Sequence, residues 1–214
     1  MSGHWRLGSS RADVKGRRWQ AMWRQLRRGG VVAVTGAALL AAAGPASAHI
    51  PVVLNPGDTV AAEENSPLVP TGTTSFAFYG RTENPGDTQV VRVQLATGDQ
   101  FHAELLIPDL PPETGLAEQA LPQLNVQDPA GQSMLLDNGE RTYFFEPFSQ
   151  TAYLTLAQTT SAAQPGTYTL IVTGAAPSRF VMVTGQDEQR SAPIVNATAA
   201  TIADVHAWYQ TPPN

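Results

Sequence analysis

The sequence predicts an all-β fold, an antiparallel jelly-roll-like β-sandwich, with an N-terminal signal segment and a short C-terminal helix or tail. Three observations predict it. Short runs of β-favouring residues alternate apolar and polar side chains with period two, the pattern of a strand covered on one face. The runs recur closely through residues 75–184 and are separated by Pro-, Gly- and Asp-rich turns. The stretch 49–214 is long enough to bury one substantial core without cysteine, of which the chain has 0.

Residues 1–48 read as an export signal. Arg17, Arg18, Arg24, Arg27 and Arg28 form a basic start, residues 31–43 an apolar run, and Pro45 breaks any helix. Ala46-Ser47-Ala48 then supplies the small side chains that a signal peptidase needs. The apolar run is too short and too rich in Ala and Gly for a permanent span. Cleavage before His49 is therefore expected, giving a secreted or extracytoplasmic protein of the cell envelope without a transmembrane anchor.

Residues 49–74 read as an extended segment, 75–186 as the sandwich and 187–214 as a linker with a short helix. About eight or nine strands are expected. They fall at 75–79, 89–96, 100–107, 121–127, 133–136, 142–146, 152–156, 166–173 and 179–184. Val91, Val93 and Leu95 share one side of their run, and Tyr168, Leu170 and Val172 share one side of theirs. Between strands, Asn55-Pro56-Gly57-Asp58 recurs as Asn84-Pro85-Gly86-Asp87, a type II turn signature used twice rather than a duplicated ligand loop. Residues 108–122 form a longer loop between strands, of the length that is either functional or mobile. At the end, Ile202, Val205 and Trp208-Tyr209 stand at helical spacing within 198–209, before Pro212-Pro213.

Removal of the leader changes the charge. The whole chain carries −5, but eight of its 13 basic residues and one of its 18 acids precede residue 49. Five arginines then face 17 acids, and no lysine remains. Such a surface repels phosphate backbones, which argues against a nucleic-acid partner.

Three local features carry a resemblance. Phe78-Tyr79-Gly80-Arg81 leads into a strand that ends at Ala96-Thr97-Gly98-Asp99, Asn125-Val126-Gln127-Asp128-Pro129-Ala130-Gly131 is a strand closed by a D-P-x-G turn, and Gly166-Thr167-Tyr168 opens another strand. Together they resemble the secreted β-sandwiches called bacterial pre-peptidase C-terminal domains. His49-Ile50-Pro51-Val52 and Glu146-Pro147-Phe148 resemble uncharacterised exported proteins of archaea and bacteria. The resemblance implies a binding or adhesion sandwich of the envelope without catalytic residues of its own, its partner an envelope protein or a glycan.

Candidate chemistry centres on histidine. A mature N-terminal His49 would offer its α-amine and a ring nitrogen to copper, with His102 or His206 completing a nitrogen site. The plainer reading makes His49 a chance neighbour of the cut, His102 a strand histidine satisfied by backbone, and His206 a packing residue beside Trp208. Calcium is the second candidate cofactor, through Asp58, Asp87, Asp128, Asp137 and Glu140 in turns, where Asp more often caps its own backbone. No G-x-S-x-G, H-E-x-x-H or P-loop motif occurs. Two aromatic clusters could stack on sugars: Phe76, Phe78 and Tyr79, then Tyr143, Phe144, Phe145 and Phe148. Alternation predicts that half of each cluster is core.

Overall fold

A computed structural model describes residues His49–Asn214; the signal segment read at 1–48 lies outside the described residues. Among the described residues eleven strands form two sheets. Sheet A runs in the order β1 (Ile50–Val53), β3 (Phe76–Thr82), β11 (Ser178–Thr184), β5 (Gln100–Pro108), β9 (Thr151–Ala162) and β8 (Thr142–Glu146). Sheet B runs β2 (Leu68–Val69), β4 (Thr88–Leu95), β10 (Gly166–Thr173), β6 (Gln123–Gln127) and β7 (Ser133–Leu136). The quartets β3-β11-β5-β9 and β4-β10-β6-β7 follow the succession of a jelly roll, so the all-β sandwich is as expected. Two short strands come from residues 49–74. Both pair in parallel, β1 with β3 and β2 with β4, which makes each sheet mixed at one edge.

Alternation explains the interior. From β5, Phe101, Ala103, Leu105 and Ile107 point between the sheets, and from β4 Val91, Val93 and Leu95 meet them. Phe101 stacks on Tyr168 of β10 with ring centroids 4.5 Å apart, tying one sheet to the other. The repeated turn differs between its copies. Gly86 has φ +90, as a type II turn requires, whereas Gly57 is not in the left-handed region. In both copies the aspartate accepts a backbone N–H: Asp58 from Asn55, and Asp87 from Glu83 and Asn84.

Sheet A is covered on its second face as well. The helix α1 (Ile202–Gln210) begins at Thr201, whose side chain accepts from the Asp204 N–H while Asp204 accepts from the Thr201 N–H, a reciprocal capping box. Val205 and Trp208 of α1 pack on Ala77, Tyr79, Leu106, Tyr153, Val181 and Val183. Trp208 meets Tyr79 edge to face at 5.0 Å and donates its indole N–H to the Gly80 carbonyl at 3.0 Å. Gly80 has to be small: a Cβ there would lie 2.3 Å from the Gln89 Oε1 and from the Phe180 ring. Two covered faces explain why every residue of β11 is buried, and why its apolar run shows no alternation.

The long loop 108–122 is fixed rather than loose. Two single 3-10 turns, Glu113–Gly115 and Glu118–Ala120, shape it. Arg179 of β11, 1 % exposed, bonds both carboxylate oxygens of the fully buried Glu113, at 2.9 and 2.6 Å. Its remaining donors reach the Pro111 carbonyl at 2.9 Å and the Tyr209 carbonyl at the end of α1. One guanidinium thus joins strand, loop and helix. Arg141 holds the same loop from outside, donating to the Thr114 and Leu116 carbonyls.

Candidate functional site

The outer face of sheet A gathers two of the three candidate histidines. On β5, His102, Glu104 and Leu106 alternate with the core residues and so point outward. His102 Nδ1 lies 2.8 Å from the Thr160 hydroxyl, and Glu104 accepts from Thr155 at 2.8 Å. His49 precedes β1 and bonds Ser75 through Nδ1, the ring nitrogen nearer the backbone and the one able to chelate with the α-amine. His206 sits on α1, exposed, and donates Nε2–H to the Ser149 carbonyl at 2.6 Å. Thus His49 and His102 share a face, and His206 has a backbone partner of its own.

Beside His49 runs a connected polar network. Glu146 is buried and accepts from the Phe148 and Ser149 N–H groups and from the Ser149 hydroxyl. Ser149 reaches Thr151 at 2.6 Å, and Thr151 reaches the Tyr153 hydroxyl at 2.9 Å. Tyr153 is bonded in turn to Tyr79, and burial pushes both phenols up. The two cavities against this network, about 10 and 20 Å³, have room for a water and none for a substrate. Among the described residues, no group of three or more His, Cys, Asp or Glu is arranged to hold a metal ion. Of the turn carboxylates, Asp58, Asp87 and Asp128 are committed to backbone N–H donors, which is the Asx-turn role.

Burial holds the His49 and His102 imidazoles below their ordinary value of 6.5, with Glu188 and Glu146 opposing the shift at His49 and His49 itself adding to it at His102. The fold therefore prefers both rings neutral, and the unfolded chain binds their protons more readily. Their contribution is complete above pH 6.5 and is lost as the pH falls through 6.5 toward the folded values. Glu104, pushed up by burial, acts in the opposite sense: its contribution is lost as the pH rises above 4.5. Urea midpoints of the wild type should fall relative to those of a His49→Gln/His102→Gln variant as the pH drops from 7.5 to 5.5. Parallel profiles would contradict the shifts.

The second aromatic cluster departs from expectation. Phe76 and Phe78 are fully buried, but Tyr143 is 60 % exposed, Phe144 38 %, Phe145 48 % and Phe148 45 %. None of the four is core, so the prediction that half of this cluster would be buried is corrected. The reason is the strand count. Sheet A has six strands against five in sheet B, and β8 is its outermost strand. With β3 over β4 and β9 over β7, β8 has no strand facing it among the described residues. Alternation sends Tyr143 and Phe145 to one side and Phe144 to the other, and neither side is closed. Among the described residues β8 pairs only with β9, so its other edge offers free N–H and C=O groups. At the corresponding edge of sheet B, Met134 and Leu135 on β7 are about half exposed.

No protein-family model matches this chain, and no curated protein matches it in sequence.

Proposed function

We propose that the protein is an exported, non-catalytic binding module of the cell envelope or extracellular space, and that it takes its partner at the β8 edge. One observation carries this reading: four large aromatic side chains are exposed on and just after an open edge strand. Soluble proteins ordinarily blunt such edges with charge or proline, because free backbone groups beside apolar side chains recruit another strand. Here Pro147 and the inward-bonded Glu146 follow the three aromatics of the strand, leaving residues 142–145 open. An extended segment of an envelope protein fits this edge: main-chain hydrogen bonds supply affinity, and the alternating aromatics grip its side chains from both sides. The resemblance to secreted β-sandwich domains without catalytic residues supports the same reading.

The test is retention of the exported protein on wall, glycan and membrane fractions, beside a Tyr143→Ser/Phe145→Ser variant. Both side chains are exposed, so thermal stability should stay within about 0.5 kcal/mol of wild type, while retention falls at least about tenfold, the equivalent of about 1.4 kcal/mol. Protease treatment of the fraction should abolish retention. Survival after proteolysis would favour a glycan, and equal retention of the variant would remove β8 from the account.

A second reading, extracytoplasmic copper binding by His49 with His102, is favoured by their shared face. It requires the Ser75 bond to His49 Nδ1 to open. Copper titration of the protein beginning at His49, beside one extended by a single residue, tests it. Equal affinities would remove the α-amine as a ligand and with it this reading.

A further inference from the structure

Sheet A has a second open edge at β1, on the far side from β8. The amides of Ile50 and Leu54 bond the Ser75 and Tyr79 carbonyls. In a parallel ladder, alternate residues turn their peptide groups to the same neighbour, so Pro51 and Val53 turn theirs outward. Pro51 has no N–H, which suits it to an edge, and its carbonyl accepts the Ala200 N–H at 2.7 Å. Val53 is left presenting both N–H and C=O. It lines two grooves, of about 400 and 480 Å³, and Arg81 lines both as well.

Arg81 is the unusual residue here. It stands directly across from Arg179 on β11, so the two side chains share the outer face of the sheet. Glu113 neutralises Arg179. Among the described residues, the guanidiniums of Arg81 and the exposed Arg190 have no salt bridge and no hydrogen bond, whereas Arg92, Arg141 and Arg179 all donate to backbone carbonyls. The carboxylates lining the grooves are engaged elsewhere: Asp87 with Glu83 and Asn84 amides, Asp204 with Thr201, and Glu83 with the amide of Asn214. Among the described residues, a cation with no structural partner thus lies beside a strand edge with a free N–H and C=O.

We propose that this edge is a second binding site, which takes an extended peptide segment bearing a carboxylate. Val53 N–H and C=O hold the peptide backbone as an added strand, and the carboxylate lies against the Arg81 guanidinium in a charge-assisted pair.

The test uses the peptide acetyl-Thr-Val-Glu-Val-Thr-amide and its counterpart with Gln for Glu, titrated into ¹⁵N-labelled protein. The expected result is saturable shifts at the Val53 and Arg81 amides, with affinity about tenfold weaker for the Gln peptide. Arg81→Gln should bring the two peptides to equal, weak affinity while melting as wild type does, because the guanidinium has no structural partner to lose. The Tyr143→Ser/Phe145→Ser variant should bind the Glu peptide as wild type does, which separates this site from the β8 edge. Equal affinity of wild type for both peptides, shifts confined to residues 142–146, or no saturable binding at millimolar peptide would each overturn the proposal.

Discussion

Replacing Arg179 with methionine should cost about 3–5 kcal/mol of folding stability, because the buried Glu113 carboxyl then loses its partner. The size of the effect follows from the geometry. Both residues are shut off from water, and the guanidinium makes two bonds to the carboxylate besides those to the Pro111 and Tyr209 carbonyls. Its loss orphans acceptors in three segments at once. A domain of this size has roughly 5–15 kcal/mol in total, so the variant should melt far below wild type. Glu113→Gln should also be destabilising, because the guanidinium is then buried without a counter-charge, although the amide keeps one acceptor for it. The double replacement Arg179→Met/Glu113→Leu should recover much of the loss, because removing both charges leaves no buried ion unpaired. Urea denaturation of the three variants measures this. A single Arg179→Met loss below about 1 kcal/mol would mean that water reaches the pair.

Trp208→Ala should be of similar size, about 3–5 kcal/mol, the usual range for truncating a buried large aromatic. It removes the edge-to-face contact with Tyr79 and leaves the Gly80 carbonyl without its indole donor. The helix has only nine residues and cannot persist undocked. Its release would uncover Tyr79, Val181 and Val183, so the variant should bind a hydrophobic dye while the strands keep their circular dichroism. Hydrogen exchange should rise first at the amides of residues 205–210. Uniform exchange throughout the sheets instead would show that the helix is part of one cooperative unit with them.

Much of this architecture is legible in the sequence, for reasons that differ between elements. The strands in which alternation dominates, such as β4 and β10, are visible because part of their outer face meets water, although Val90 and Thr169 on that face are buried. The two parallel edge strands are not: β2 has two residues, and β1 has four with a proline among them, too few for a period to register. The helix is visible in the spacing of Val205 and Trp208. Its start is sharpened by Thr201 and Asp204, a capping-box spacing present in the sequence, and so it begins at Ile202 rather than near 198. The docking of α1 also left a trace, since Phe180, Val181, Met182 and Val183 are apolar on both parities. By contrast, nothing local pairs Arg179 with Glu113, which lie 66 residues apart. The exposed aromatics were hidden for a related reason. Alternation says which side chains share a face, but only the strand count of the opposite sheet says whether that face is covered.

The measurement closest to the central proposal is backbone hydrogen exchange of the exported protein, free and bound to the envelope fraction that retains it. Slowed exchange at the amides of residues 142–146, with the remaining strands unchanged, is the predicted result. Unchanged exchange at β8, with protection appearing on another surface, would contradict it.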